Sequence, residues 1–365
     1  MATFTQGLRP PFCPRRACPS HCSGLPWTCI KSGSYSRTAT PRRIQRYTCV
    51  VCRASFSSQT FDTTYFLKRP DLLKPLFYRL VACSGFRQIA REYGVSHTTV
   101  MRLSERLARH CLLFQQMYFT RARLLEPVVI DGLESFAHSQ YYPCHINVAV
   151  GSDSHFLYAF TDSELRRKGR MTESQKQRRA ELEQQHGRQD PRSIEKEVAT
   201  LLQIVATRTE RGLIVRSDDH KAYTPAIARL SLPVSHEVTA STVPRNEYNP
   251  LFPVNRLDLL TRHSGANHKR ETIAFSKTQQ NLVERFAIQT VWMNFAKSFS
   301  EKRQDSTPAM RLGLVSRKLS AGQILGRRLF PWRITLSDRA QDYYWRRVWT
   351  RPRGRSRPHI LKLAT

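Results

Sequence analysis

The sequence lacks long apolar runs. None of its hydrophobic stretches reaches the roughly 18 residues that a membrane-spanning helix requires. Its opening segment, MATFTQGLRPPFCPRR, has no apolar core of the kind found in signal peptides. We therefore expect a cytosolic protein without a membrane partner.

The sequence also lacks the glycine-rich loops that bind nucleotide phosphates. It contains neither a P-loop nor a dinucleotide-binding fingerprint. Serine, histidine and aspartate do not follow one another in the order of a hydrolase triad. These absences argue against chemistry driven by nucleoside triphosphates.

Acidic residues are scarce relative to basic ones. The 365 residues include 28 Asp and Glu against 59 Lys and Arg, a formal net charge of +31. Such an excess predicts a polyanionic partner, most simply nucleic acid. A ribosomal or architectural protein would carry the same excess, so charge alone does not assign a function. With 40% hydrophobic residues, the chain can bury a sizeable core and form two or three unequal modules.

Cysteines are concentrated near the N-terminus. Six of the nine lie in the first 52 residues, which favours a metal site because cytosolic thiols stay reduced. Four of them form two closely spaced pairs, Cys13 with Cys18 and Cys49 with Cys52. Two such pairs can close a tetrahedral zinc site, so we expect residues 1–60 to form a zinc-ribbon-like DNA-binding module. The alternative is a set of unligated buried thiols, and His21, Cys22 or Cys29 can replace a ligand or form a second site.

Residues 86–110, FRQIAREYGVSHTTVMRLSERLARH, predict a helix-turn-helix within a DNA-binding unit at 61–120. Gly94 permits a left-handed turn, and Ser96 can cap the second helix. That helix carries polar side chains that we expect to contact DNA: His97, Thr98, Arg102, Arg106 and Arg109. The alternative is an ordinary helical hairpin with solvated arginines.

The segment 121–300 alternates strand and helix patterns, which predicts an α/β fold. A charged, helix-forming stretch at about 164–209, broken near Gly187, interrupts the strands and is interpreted as an insertion. Beyond it, residues 301–365 are rich in arginine and aromatic side chains. We expect them to be a basic C-terminal tail that contacts DNA, with its last fifteen residues disordered when DNA is absent.

Two carboxylates close predicted strands in this cationic chain. Asp131 ends VVID and Asp218 ends LIVRSD. Carboxylates at the ends of neighbouring strands would repel each other unless a divalent cation lay between them. Two magnesium ions about 3.5–4 Å apart would activate a water or a 3′-hydroxyl for phosphoryl transfer. A turn or cap role is the simpler interpretation of either aspartate alone, but the pair beside a DNA-binding segment favours catalysis.

The order of these features resembles the DDE-type transposases of bacterial insertion sequences. Paired cysteines and a helix-turn-helix precede Asp131, then Asp218 and Tyr223, then NRLDLLTR and KRETIAFSK. The resemblance implies a ribonuclease-H-like core, catalytic magnesium or manganese, and cleavage at terminal inverted repeats followed by strand transfer. It also implies double-stranded DNA as partner, a homo-oligomeric active complex and a nucleoid-associated location in a bacterium.

The resemblance assigns roles to individual residues. Asp131 and Asp218 match the first two catalytic carboxylates and magnesium ligands. The third position, commonly Glu, falls on Asn255, and Arg262 matches the basic residue that faces phosphate. An amide oxygen is a weaker ligand for a hard cation than a carboxylate, so Asp258, one helical turn further on, is the second candidate.

Three further basic residues of this region are expected to face DNA: Arg256, Arg270 and Lys277. Each can instead be an ordinary surface charge. The amide of Asn255 leaves a second function open, that of a transposase-derived protein which binds its sites specifically but cuts weakly or not at all.

Overall fold

The N-terminal module is built on a small antiparallel sheet. The computed structural model describes residues 10–21, 27–302 and 304–360. The module contains three strands in sequential order, β1 (Cys29–Ser36), β2 (Arg43–Cys49) and β3 (Ser55–Ser57). Tyr47 of β2 stacks on Phe56 of β3 with ring centroids 5.8 Å apart. These rings and the buried cysteines beside them make up most of its small core.

Three helices follow the module, α1 (Leu73–Leu80), α2 (Phe86–Glu92) and α3 (His97–Phe119). Between α2 and α3, Gly94 adopts a φ of +59°, a left-handed conformation that glycine tolerates without strain. Ser96 caps α3 by accepting a hydrogen bond from the Thr98 N–H at 3.2 Å. The helices and their turn lie where the sequence predicts them, although α3 continues well beyond the predicted end at His110.

The central sheet has five strands, β4 (Val128–Phe136), β5 (Pro143–Gly151), β6 (Leu157–Glu164), β7 (Leu213–Ser217) and β8 (Val234–Val238). Their order across the sheet is β6, β5, β4, β7, β8. Strands β4, β5 and β6 are antiparallel neighbours, whereas β7 runs parallel to β4 and β8 parallel to β7. The predicted α/β class is confirmed, with a sheet of mixed direction.

The register between β4 and β7 brings two aspartates close together. Val129 pairs with Arg216. Asp131 and Asp218 each lie two residues further along, and side chains separated by two residues share a face of a sheet. The prediction that the first strand ends at Asp131 is wrong, because β4 continues to Phe136 in pairing with β5.

The charged stretch between β6 and β7 forms two helices with different environments, α4 (Glu173–His186) and α5 (Ser193–Ala206). No residue of α4 is buried, whereas α5 buries an apolar face that includes Leu201 and Leu202. Within the stretch interpreted as one insertion, 164–209, the second half thus packs against the sheet through α5.

Helices cover both faces of the sheet. After β7 come α6 (Tyr223–Ile227), α7 (Phe252–Ser264) and α8 (Gln279–Val291), and α8 continues into a π-helical turn, Trp292–Ala296. Ile130 of β4 packs in one core with Leu201 of α5. Its neighbour Val129 points the other way and packs with Val254 of α7 and Phe286 of α8. Within the described ranges, no helix is both long and apolar enough to cross a membrane.

The core on the α5 side also contains the helix-turn-helix. Leu76 of α1 and Leu107 of α3 belong to the same buried cluster as Ile130. Helix α3 packs along α8 as well. The sequence predicts separate units for residues 61–120 and 121–300, but this hydrophobic core runs across the boundary between them.

The C-terminal segment packs onto the rest of the chain. It contains three short helices and a two-stranded ribbon, α9 (Pro308–Arg311), α10 (Ala321–Ile324), α11 (Asp338–Trp345), β9 (Trp349–Thr350) and β10 (Gly354–Arg355). Phe330 joins the core of the N-terminal module, and Tyr343 joins the core beside α8. His359 stacks on Trp345 with ring centroids 5.8 Å apart. The basic C-terminal segment therefore packs on the chain over much of 308–360, with Phe330, Tyr343 and Tyr344 buried and Trp349 exposed.

Candidate catalytic site and metal centre

Three carboxylates act by their charge on one buried phenol near the central sheet. Asp131 lies on β4, Asp218 directly follows β7, and Asp258 lies on α7. The side chain of Tyr223, at the start of α6, is only 2% exposed. Burial raises the pKa of its hydroxyl, and the charges of all three carboxylates raise it further. The three acidic groups are therefore within electrostatic reach of one point.

The Asp131 carboxyl is held in a desolvated position. Burial raises its pKa to about 6, and the charge of Asp218 adds to this effect. The Gly132 N–H donates to Asp131 Oδ1 at 2.7 Å, and this bond together with the charge of Arg245 favours the ionised form. Two such acidic groups side by side resist joint ionisation unless a cation neutralises them.

Asp258 has a higher pKa than Asp131 and also has a carboxylate oxygen without a partner in the part of the chain that the structure describes. Burial raises its pKa to about 7, with a further rise from the charge of Asp131. Three basic side chains, led by Arg262, oppose the rise but do not cancel it. Asp258 Oδ1 is buried and has no hydrogen-bond partner among the described residues. A buried carboxylate oxygen without a donor is costly, and a bound cation would remove that cost.

Asn255 lies one turn before Asp258 on the same helix. Residues three apart on a helix share a face, so the amide and the carboxyl project toward the same side of α7. Asn255 is half-buried. Its role as a metal ligand remains a prediction from the resemblance, whereas the coupling of Asp258 to Asp131 is a feature of the folded chain.

Arg262 links α7 to β4, the two elements that carry Asp258 and Asp131. Its guanidinium donates to the carbonyl oxygens of His268 and Glu134, each at 3.1 Å. These bonds join α7 to β4 and to the loop after α7. The positive charge of Arg262 also stabilises the ionised form of Asp258. The residue that the sequence predicts to face phosphate therefore lies beside the carboxylates.

Two residues near the carboxylates carry no sequence signal that marks them. Arg245 is exposed in the loop after β8, and its charge acts on both Asp131 and Asp258. His145 of β5 packs over the backbone of Gly132, where an added Cβ would lie 2.5 Å from the ring Nδ1. Burial lowers the pKa of His145 to about 4, and the nearby His220 ring lowers it further. Only the pairing of β4 with β5 brings this histidine to the site.

The residues predicted to bind DNA divide into two groups. Five of them are exposed: His97, Thr98, Arg102, Arg270 and Lys277. Arg106 instead donates to the carbonyl oxygens of Thr63 and Tyr65, at 2.8 and 2.6 Å. Arg109 is half-buried near the same place. The second half of α3 is thus enclosed by neighbouring segments, and DNA contact by these two arginines stays a prediction.

Arg256 also has an internal role. Its guanidinium lies 4.4 Å from the ring centroid of Phe299 and donates to the Phe299 carbonyl oxygen. Burial lowers its pKa, with the charge of Arg311 adding to the effect. These contacts attach α7 to the segment after the π-helical turn, so the expected DNA contact by Arg256 finds no support in its surroundings.

The paired cysteines of the N-terminal module meet in one cluster. The Sγ atoms of Cys13 and Cys52 are 3.6 Å apart, and those of Cys18 and Cys49 are 3.8 Å apart. All four sulfur atoms lie within 4.8 Å of one another. Zinc–sulfur bonds of about 2.3 Å in a tetrahedron separate the sulfurs by about 3.8 Å. The predicted grouping is confirmed, and these four cysteines could bind a metal such as zinc.

The surroundings of the cysteines explain why a cation would be needed. Burial raises the pKa of both Cys13 and Cys18. Burial also raises that of Cys52, but hydrogen bonds from the Ala54 N–H and the other thiols outweigh it and lower the pKa to about 7. A bound metal would deprotonate the remaining thiols.

Two of the three alternative ligands lie outside the cluster. His21 donates from Nδ1 to the Cys13 carbonyl oxygen at 2.7 Å and so supports a ligand rather than replacing one. Cys29 is not part of the four-sulfur group. Cys22 lies outside the described residues.

Among the described residues, only the four cysteines lie close enough together to share one metal ion, and the carboxylates around Tyr223 do not. Carboxylate and amide oxygens are the ligands that magnesium and manganese prefer. Exposed arginines beside them, Arg245 and Arg270, are suited to holding phosphate groups. Comparison of the chain with protein-family models and with curated proteins finds no match.

Proposed function

We propose that this protein is a metal-dependent DNA transposase of the DDE type, which cleaves the ends of its insertion sequence and joins them to target DNA. The observation that carries the proposal is the convergence of three carboxylates on Tyr223 in a chain with a net charge of +31. A strongly cationic protein has little reason to bury acidic groups together unless they bind a cation.

The fold supports this proposal. Three antiparallel strands followed by two parallel ones, in the order β6, β5, β4, β7, β8, are compatible with the ribonuclease-H-like core that the resemblance implies. Asp131 on the central strand and Asp218 after its parallel neighbour are then adjacent at one end of the sheet. Helix α5 would be a core helix of this fold, and only α4 would be an insertion.

Asp258 is our candidate for the third metal ligand, ahead of Asn255. Asp131 raises the pKa of Asp258, and one Asp258 oxygen is buried without a partner. A carboxylate at this position would restore the full acidic set, which the amide of Asn255 leaves incomplete. The main reason to propose a protein that binds without cutting is then removed.

The residues of the site would act together on a phosphodiester. Asp131, Asp218 and Asp258 would hold two magnesium ions, which when bound would activate the attacking hydroxyl and stabilise the leaving oxygen. Arg245 and Arg270 would hold the DNA backbone against the carboxylates. Arg262 would orient α7, because its two carbonyl contacts fix the helix against β4 and the following loop.

Recognition of DNA would use the N-terminal half of the chain. The start of α3 exposes His97, Thr98 and Arg102, which suits insertion into a major groove. The four-cysteine module would bind zinc in the manner of a zinc ribbon and add backbone contacts. Transposases pair two DNA ends, so we expect a homo-oligomer in the active complex.

A cleavage assay on DNA that contains the flanks of the gene tests the proposal. Asp131→Ala and Asp218→Asn are expected to abolish cutting in magnesium or manganese while retaining DNA affinity. Asp219→Asn is the matched control, because Asp219 is exposed and exerts no charge effect on Tyr223. Cutting by the Asp218→Asn protein at the wild-type rate would contradict the proposal.

A further inference from the structure

A small cavity lies between α3 and the C-terminal segment, away from the carboxylates. Its volume is about 80 Å³. The polar side chains that line it are almost all basic: Arg106, Arg109, His110, Arg328, Tyr344 and His359. No aspartate or glutamate is among the lining residues. A cavity of this composition offers many hydrogen-bond donors and positive charge, with neutral hydroxyl and imidazole groups but no carboxylate as acceptors.

Most guanidinium donors at this cavity have no protein partner. Three guanidiniums carry about fifteen N–H donors. Arg106 donates to two carbonyl oxygens, and Arg328 donates from Nη1 to the Thr60 carbonyl oxygen at 3.3 Å. Arg109 makes no hydrogen bond and no ion pair with any described residue. The Arg328 guanidinium also lies over the rings of Tyr65 and Phe330, 4.7 and 5.0 Å from their centroids. A ligand that accepts several hydrogen bonds would satisfy the donors that have no protein partner.

The carboxylates nearest to the cavity are already engaged. Arg346 forms ion pairs with Glu105 at 2.7 Å and with Glu284 at 2.8 Å. Asp62 accepts hydrogen bonds from the backbone and side chain of Thr64, and it acts on Arg106 only through its charge. Within the described chain, none of the three cavity arginines forms an ion pair. The positive charge of the cavity is therefore only partly balanced by the protein.

The positive charges of the arginines repel one another, and the two histidines do not reduce this repulsion. Burial lowers the pKa of Arg106 to about 10, and the charges of Arg109 and Arg328 lower it further. Burial and the same arginines lower the pKa of His359 to about 3, so this ring is neutral at physiological pH. His110 is neutral too, with its pKa lowered by burial to about 4, and its Nε2 donates to the Ile324 carbonyl oxygen at 2.8 Å.

We propose that this cavity is a binding site for a phosphate group. Arginine guanidiniums match the geometry of phosphate oxygens through paired hydrogen bonds. A doubly charged or singly charged oxyanion would balance Arg109 and Arg328 and accept their free donors. The phosphate belongs either to the DNA backbone or to a free inorganic phosphate ion. The cavity lining shares no residue with the carboxylate site, so this proposal is tested independently of the proposed catalysis.

Thermal unfolding of the zinc-loaded full chain tests the site directly. Inorganic phosphate is titrated at constant ionic strength, with chloride as the balancing ion. Wild-type protein is expected to show a saturable rise in Tm of about 4 °C at a hundredfold excess over Kd. Arg109→Gln should lose most of this rise, whereas Arg102→Gln, an exposed change on the same helix, should keep it. Arg109→Gln is expected to fold, because Arg109 makes no hydrogen bond or ion pair with a described residue and interacts with Glu284 and Glu105 only through their charges.

DNA binding with and without saturating phosphate distinguishes the two sources. If a DNA phosphate uses the cavity, inorganic phosphate weakens DNA binding by wild type but not by Arg109→Gln, and the variant lowers the salt slope by about one unit. If the ligand is a free ion, DNA affinity is the same in all these conditions. The proposal is overturned if phosphate leaves the wild-type Tm unchanged and Arg109→Gln binds DNA as wild type does. Neither result depends on whether the protein cuts DNA.

Discussion

At the scale of single residues, the behaviour of the carboxylate site follows from burial. Burial raises the pKa of the Asp131 carboxyl to about 6 and that of Asp258 to about 7. Each would release a proton when a divalent cation binds. Metal binding is therefore expected to weaken as pH falls from 8 toward 5, because protons compete for the same oxygens.

Asp258 should also destabilise the magnesium-free protein at high pH. The folded chain holds its proton more tightly than the unfolded chain, where the pKa is 3.8. The protonated Asp258 carboxyl therefore favours the folded state below about pH 4, and this favourable contribution is lost as pH rises through about 7. In magnesium-free buffer at pH 8, Asp258→Asn is expected to raise the free energy of unfolding by about 1–2 kcal/mol.

Denaturant unfolding at pH 5 and pH 8 measures this effect. The gain in Asp258→Asn should shrink at pH 5, because the wild-type carboxyl is then mostly protonated. Asp219→Asn is the control and should change stability by less than about 0.5 kcal/mol at either pH. A variant that is less stable than wild type at pH 8 would show that Asp258 has a stabilising partner.

At the scale of elements, the sequence predicts features that depend on a local pattern of residues. It does not predict how the elements pack against one another. Gly94 predicts a turn and Ser96 predicts a helix cap, because each residue acts on the backbone at its own position or two residues away. The four cysteines predict their cluster because metal ligands come in close pairs. The choice between Asn255 and Asp258 depends instead on how α7 lies against β4, and no local pattern encodes that packing. The same limit explains Arg106, whose partners Thr63 and Tyr65 are distant in sequence.

Helices α4 and α5 should differ sharply in their tolerance of substitution. Leu201 of α5 is fully buried, so Leu201→Ala is expected to cost about 2–5 kcal/mol through lost contacts and a cavity. Leu182→Ala on α4 makes the same chemical change at a partly exposed position and should cost less than about 1 kcal/mol. Denaturant unfolding of both variants tests the assignment. Equal losses would mean that α4 also belongs to the core.

We expect bound zinc to stabilise the folded N-terminal module and its contact with the C-terminal segment. Phe330 packs in the module core, and Arg333 donates to the His21 carbonyl oxygen at 2.6 Å. Removal of the metal, or Cys49→Ser, is expected to expose the module and residues around Phe330 to proteolysis. One zinc ion per chain should be measured in wild type and in the control Cys83→Ser. Retention of zinc by Cys49→Ser would contradict the four-cysteine site.

At the scale of the whole molecule, the chain combines shared cores with a large positive charge. The helix-turn-helix, the sheet and α5 share one core, so DNA that bound at α3, as we propose, would be held on the same framework as the carboxylates. The sequence predicts the charge and the α/β class, because both are sums over many residues. It does not predict that the arginine-rich C-terminus folds back, since alternating rings and arginines suit both a DNA-binding tail and a packed segment.

The central claim is that Asp258 completes a catalytic site with Asp131 and Asp218. Single-turnover cleavage of end-containing DNA in magnesium tests it most directly, with Asp258→Asn and Asn255→Ala compared after both are shown to bind DNA as wild type does. We predict that Asp258→Asn slows cutting by about a hundredfold or more, whereas Asn255→Ala slows it by less than about tenfold. Wild-type cutting by Asp258→Asn, with loss of cutting in Asn255→Ala, would contradict the claim and assign the third ligand to Asn255.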